Sequence, residues 1–110
     1  MAQASGGIDR TDKAELLRFR AEVEHAFPGR LRGAVLFGSR ARGEAREDSD
    51  WDIALFIDGF DRGRENRRLN FLAVPFQLRG VRISPLGVPT DRHGVSPELL
   101  WNIDNEGVHL

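Results

Sequence analysis

LRGAVLFGSRARGEAREDSDWDIALFID, residues 31 to 58, holds two apolar runs separated by a polar interval. The first, with Leu31 and Ala34 to Phe37, stops at Gly38-Ser39; ten residues follow, and the second opens with Asp50-Trp51-Asp52. Side chains alternate along a strand, so Asp50 and Asp52 share one face while Trp51, Ile53, Leu55 and Ile57 point to the other, where they can be buried. Glycine lets a backbone approach a ligand closely, amides at the start of a helix attract anions, and Ser39 adds a hydroxyl donor. Two carboxylates roughly 6.5 Å apart along a strand repel unless a cation or solvent separates them. Magnesium suits such a pair, because it takes a few carboxylates together with water and phosphate oxygens. In two-metal phosphoryl transfer the ions lie about 3.5–4 Å apart and stabilise both attacking and leaving oxygens. Taken singly, neither feature is specific: most Gly-Ser pairs are ordinary turns, and Asp50 and Asp52 could be solvated on an exposed strand face.

Outward from this stretch, the N-terminal side offers Leu16, Phe19, Val23 and Phe27 at helical spacing, with Leu17 and Ala21 widening the stripe. Thr11 or Asp12 can cap this helix and Pro28-Gly29 ends it, while residues 1–10 read as a flexible tail before a single domain of residues 11–110. Residues 41–48 suggest a short helix broken near Gly43, and strands are expected over residues 30–37, 51–57 and 81–86. Residues 65–78 carry Leu69, Leu72, Ala73 and Phe76 in a helical stripe that Pro75 should stop or kink near Val74. Residues 87–94 look like a loop, and Ser96-Pro97-Glu98 opens a last helix that Gly107 closes. Helices alternating with strands in this order indicate an α/β protein, a small mixed β-sheet covered by helices.

Composition fits one soluble domain: 110 residues, 40% hydrophobic and 30% charged, with a net charge of −1 that advertises neither nucleic-acid nor membrane-surface binding. The absence of cysteine removes disulfides, thiolate metal sites and thiol nucleophiles. No apolar run reaches the roughly 18 residues of a membrane span, and the N-terminus lacks a signal-peptide core, so a cytoplasmic protein is expected. His25, His93 and His109 are scattered without ligand spacing and are read as structural or surface residues. Arg62, Arg64, Arg67 and Arg68 are read as a solvated helix face, and Trp101 as either core or part of a partner surface.

Gly38-Ser39, ten residues, then Asp50-Trp51-Asp52 is similar to the G-S-x10-D-x-D signature of the polymerase-β nucleotidyltransferase superfamily, and the chain resembles its minimal nucleotidyltransferase branch. FGSRARGEAREDSDWDIALFI, residues 37–57, resembles that family's strand, turn, Ala-Arg-Gly segment and second strand almost position by position, and NIDNEGVHL at the C-terminus resembles the way many minimal members end. The resemblance implies a polymerase-β-like fold, with Gly38 and Ser39 holding a nucleoside triphosphate, Asp50 and Asp52 binding Mg2+ as the catalytic pair, and Arg40 and Arg42 available to neutralise phosphate charge. It also implies transfer of AMP from ATP to a hydroxyl, such as that of a protein tyrosine, and a usual context as the antitoxin of a helical HEPN-domain toxin.

One departure stands out. Active relatives usually carry a third carboxylate on a later strand, but the matching segment Val81-Arg82-Ile83-Ser84-Pro85 holds Arg82 and Ser84 at the face-related positions. Either Asp58, Asp61 or Asp91 substitutes, or the site is incomplete. Three functions therefore compete: an adenylyl-transferring antitoxin, an antitoxin that neutralises its toxin by binding alone, and the nucleotide-binding half of a small-molecule-modifying enzyme.

Overall fold

The computed structural model describes residues 8–110. The elements are α1 (Arg10–Ala26), β1 (Leu31–Phe37), α2 (Ser39–Arg42), β2 (Trp51–Ile57), α3 (Arg62–Leu78), β3 (Ile83–Pro89), α4 (Pro97–Glu106) and β4 (Val108–His109). They form one mixed sheet in the order β3-β2-β1-β4. β1 pairs antiparallel with both β2 and β4, while β2 pairs parallel with β3 across the crossover supplied by α3. This is the expected α/β architecture. Among the described residues no helix is long and apolar enough to cross a membrane.

Strand β2 is covered on both faces, which explains its near-continuous apolar character. Trp51, Ile53, Leu55 and Ile57 enter the larger core with Leu16, Phe19 and Phe76 from α1 and α3. Ala54 faces the other way and meets Val35, Val88 and Ile103 in a smaller cluster beneath α4. Asp52 shares this second face, beyond the part that α4 covers, so the carboxylate escapes full burial at the head of the strand.

Several boundaries move from their expected places. Asp9 caps α1, its carboxylate accepting from the amides of Thr11 at 2.6 Å and Asp12 at 3.3 Å, because the cap oxygen must lie ahead of the orphan amides. Asp9 and Arg10 therefore belong to the folded unit, and the rest of the expected tail up to residue 7 lies outside the described residues. Leu17 and Ala21 are exposed and do not widen the buried stripe. Arg68 is not merely solvated: it lies 4.9 Å over the Phe27 ring and donates to the Ala26 carbonyl.

Helix α3 runs through Pro75 instead of stopping at Val74. A proline inside a helix forfeits one backbone bond and costs about 3 kcal/mol. That loss is offset because Phe76, one residue later, is buried edge-on against Phe19 with ring centroids 5.5 Å apart, and Ala73 and Leu69 are fully enclosed. β3 starts two residues later than its pattern suggests and continues through Gly87-Val88-Pro89, expected to be loop. The Arg82 carbonyl accepts from Trp51, so alternate residues place Pro85 and Pro89 with their missing donors on the outer edge, where a strand can spare them. β4, which the sequence did not suggest, closes the opposite edge of β1.

Arg30 fastens the crossover. Its guanidinium makes two bonds to Glu65, at 2.7 and 2.9 Å, and a third to the Asp58 carbonyl at 2.9 Å. Bonding to Arg30, reinforced by the Asp61 amide, lowers the Glu65 carboxyl from 4.5 to about 2. A carboxylate depressed by folding contributes stability above its unfolded pKa and loses it as pH falls through its folded one. Glu65→Gln should therefore cost about 1–2 kcal/mol in urea unfolding at neutral pH. The difference from the native protein should shrink as pH falls from 4.5 toward 2; a gap that persists unchanged at acid pH would show that the charge is not its source.

Candidate active site at the head of the central strand

β1 ends at Phe37 and the chain turns at Gly38 with φ of 80° before α2 begins directly at Ser39. The register pairs Phe37 with Asp52, so the turn arrives beside that carboxylate although 13 positions separate Gly38 from it. A Cβ built on Gly38 would stand 2.6 Å from Asp52 Oδ2, hence only glycine fits there both in space and in backbone angle. The expected short helix starts at Ser39, earlier than its composition suggested, and ends at Gly43 in a left-handed cap.

Residues 43–50 return the chain to β2 and are held by a small network. Arg40 donates to the carbonyls of Ser49 and Glu47, and its guanidinium lies 4.2 Å over the Trp51 ring. The Ser49 hydroxyl accepts from the Arg46 amide at 2.8 Å. Arg40 thus works as a clamp on the segment that delivers Asp50, with most of its donors spent on that segment. The stacking on Trp51 and the grip of Arg40 on the Ser49 carbonyl were not legible from the sequence, since both depend on a loop folding back across nine or more residues.

Asp50 and Asp52 lie close enough for the charge of Asp50 to act on Asp52. Asp50 sits just before β2 and accepts from Arg82 Nε at 3.1 Å. Asp52 is half-buried, and burial, with the nearby negative charge of Asp50, raises its pKa above the usual carboxylate range, partly countered by Arg42. Arg42 itself is paired with Glu44 at 2.9 Å and lies 3.6 Å from Glu106 on α4. The donor set, two like charges of which one is short of solvent, fits a divalent cation that completes its shell with water and phosphate oxygens.

The third acid is not supplied from elsewhere. Ser84 stands directly across from Asp52 in the parallel ladder of β2 and β3. Asp58 lies just past the end of β2, six residues from Asp52 and about 20 Å away by strand rise, and binds Arg32 and Thr90. Asp61 caps α3, and Asp91 accepts from the His93 amide. Because β2 and β3 run in the same direction, both loops lie at the far end of the sheet, where Asp61, Asp91 and His93 line a separate cavity of about 530 Å³. Among the described residues no three acidic or histidine side chains converge on one point. His25 and His109 stay apart from the site as well, the latter in β4 opposite Val35.

Folding penalises the ionised form of Asp52, so that residue costs stability above its unfolded pKa, and the cost is relieved as pH falls. Asp52→Asn should accordingly raise the melting temperature in the presence of a chelator; a fall would mean that attraction to Arg42 outweighs burial. Gly38→Ala should lower stability by about 1–2 kcal/mol, read from urea unfolding, since the new methyl meets both the wrong backbone angle and the Asp52 oxygen.

A family model described as polymerase beta, nucleotidyltransferase matches residues 21–78, from the second half of α1 to the end of α3. A protein adenylyltransferase by name, from Methanocaldococcus jannaschii, is 24% identical over 93 residues, covering 84% of this chain and 91% of its own. Among solved structures, a minimal nucleotidyltransferase superimposes with a TM-score of 0.60 at 28% identity, over 90% of this chain and 95% of the other. A toxin-antitoxin structure containing AMP-PNP superimposes with a TM-score of 0.62 at 19% identity, over 84% and 69%; at that identity the likeness is one of fold. Since the family match takes in just over half the sequence, including the Gly38-Ser39 turn and both Asp50 and Asp52, this chain belongs to the polymerase-β nucleotidyltransferase family.

Proposed function

We propose that this protein is a minimal nucleotidyltransferase that moves AMP from ATP, with magnesium, onto a hydroxyl of a partner protein, and that the partner is a helical HEPN-type toxin for which it serves as antitoxin. The observation that carries the reading is the close approach of the Gly38 turn to Asp52, near enough that a Cβ on Gly38 would lie 2.6 Å from Asp52 Oδ2, which supports a common seat for triphosphate and cation. A cation held by Asp50 and Asp52 would neutralise charge on the phosphate oxygens. The chain's own groups would supply the rest: the Ser39 hydroxyl as a donor at the start of α2, and Arg42 as a cation whose charge acts on Asp52. Ser84 can hydrogen-bond an acceptor but is no base at neutral pH, so positioning and charge stabilisation would provide most of the rate.

The names of the relatives support adenylyl transfer to protein and a toxin partner. The outward side of α3 supports a partner too, because Phe71 and Leu78 are 73% and 82% exposed, with Val74 between them on the same stripe. On the opposite side of the sheet, Trp101 is 57% exposed and so is no core residue.

A second reading has its own observation. With Ser84 opposite Asp52 and the other acids at the far end of the sheet, the site could be degenerate and the protein could neutralise its toxin by contact alone. Purified protein incubated with a cognate HEPN toxin, ATP and magnesium should add the mass of AMP to the toxin, and the double change Asp50→Asn with Asp52→Asn should abolish it. No added mass, with the double variant still protecting cells, would establish the binding reading instead.

A further inference from the structure

On the β3 side of the carboxylate pair the sheet opens into a cavity of about 310 Å³. Asp50, Arg82 and Ser84 form its floor beside the strand heads, and Asn70 and Gln77 reach it from α3. The sheet order β3-β2-β1-β4 places this cavity on one side of Asp50 and Asp52 and the Gly38-Ser39 turn on the other. Its size is near the lower end of ligand pockets, about 300–1,000 Å³, enough for a side chain and its immediate neighbours.

Its charge is specific. Arg82 donates Nε to Asp50, but no described residue accepts from either of its terminal nitrogens. Asn70 and Gln77 spend their amide nitrogens on the carbonyls of Asn66 and Ile83. The cavity therefore offers one unfilled guanidinium edge and no unpaired acid, a geometry matched to a carboxylate. The adjacent edge of β3 cannot recruit a peptide by strand addition, because Pro85 lacks a donor there and the Ile83 carbonyl is already taken. Recognition at this edge must come from side chains.

We propose that this cavity is the acceptor site, and that it selects a hydroxyl-bearing residue set in an acidic segment of the partner protein, one carboxylate of which binds the terminal nitrogens of Arg82. The inference rests on the transfer reading above. In the step it serves, the acceptor oxygen forms a bond to the α-phosphorus, the bond to pyrophosphate breaks with its electron pair leaving on pyrophosphate, and the hydroxyl proton passes to solvent.

The test compares two short peptides, one with a single tyrosine flanked by glutamates and one with the same tyrosine flanked by lysines. AMP addition is followed by mass spectrometry with ATP and magnesium, and binding by amide NMR shifts without nucleotide. The glutamate peptide should be labelled about tenfold faster in kcat/KM, the worth of one charge-assisted contact. Its NMR shifts should centre on Asn70, Gln77 and residues 82–84. Arg82→Glu should reverse the preference, Arg82→Gln should erase it and Arg82→Lys should keep part of it. Equal labelling of both peptides, shifts centred elsewhere, or a preference untouched by Arg82→Glu would overturn the assignment, as would neither labelling nor shifts. Cavity shifts confined to the glutamate peptide, with no labelling of either, would sustain the acidic-ligand site while refuting transfer.

Discussion

Asp52 is a carboxylate drawn part-way into a protein, with the negative Asp50 close by and the Gly38 turn so near that a Cβ there would stand 2.6 Å from one of its oxygens. Burial of this kind favours the neutral acid, and no described residue neutralises it fully: Arg42 helps but is shared with Glu44 and Glu106. A fold tolerates such an arrangement only if the surrounding frame is stiff enough to impose it. Here the frame is β2, enclosed on both faces, whose apolar residues fix the register that brings Asp52 level with Phe37 and Ser84.

The frame also accounts for the arginines near the site, which differ in what they hold. Arg40 stacks on Trp51 and grips the returning loop, so that Trp51 serves both as core residue and as the platform for a clamp. Arg42 lies toward α4, and Arg82 reaches Asp50 from the head of β3. Exposed pairs of this sort contribute little to stability, on the order of 0–1 kcal/mol each. Their importance is positional: they set positive charge around Asp50, which Arg82 binds, and Asp52, whose charge Arg42 offsets in part.

The parallel pairing of β2 with β3 decides how much chemistry the site can muster. Parallel strands bring like ends together, and the ends that meet at the carboxylates carry Arg82 and Ser84, whereas Asp58, Asp61 and Asp91 are carried to the other end of the sheet. An antiparallel partner would have delivered the loop after β2 to a different neighbour altogether. Two acids and a hydroxyl can hold a cation and a phosphate and orient an acceptor, which is a narrower endowment than three acids provide.

Much of this was readable from residue order, because it depends on local periodicity. Alternation marks Trp51–Ile57 as a strand with Asp52 turned from the core, and Ser96-Pro97 with Gly107 brackets α4. The spacing of Gly38-Ser39 and Asp50-Trp51-Asp52 carried the family likeness. The readings that missed depended on contacts between distant parts of the chain. Phe76 docking on Phe19 carries α3 past Pro75, and pairing with β2 extends β3 into a segment that looks like loop. Two residues of β4 find their place only because Val35 and Leu36 present an edge to them. Composition and spacing could determine which glycine, hydroxyl, carboxylate and arginine groups stand together at the head of β2, since those groups lie within one short stretch. Which acids would be absent from the site, and which arginine would stand in the gap, was decided by strand direction and register, quantities that come into being only when the sheet closes around its core.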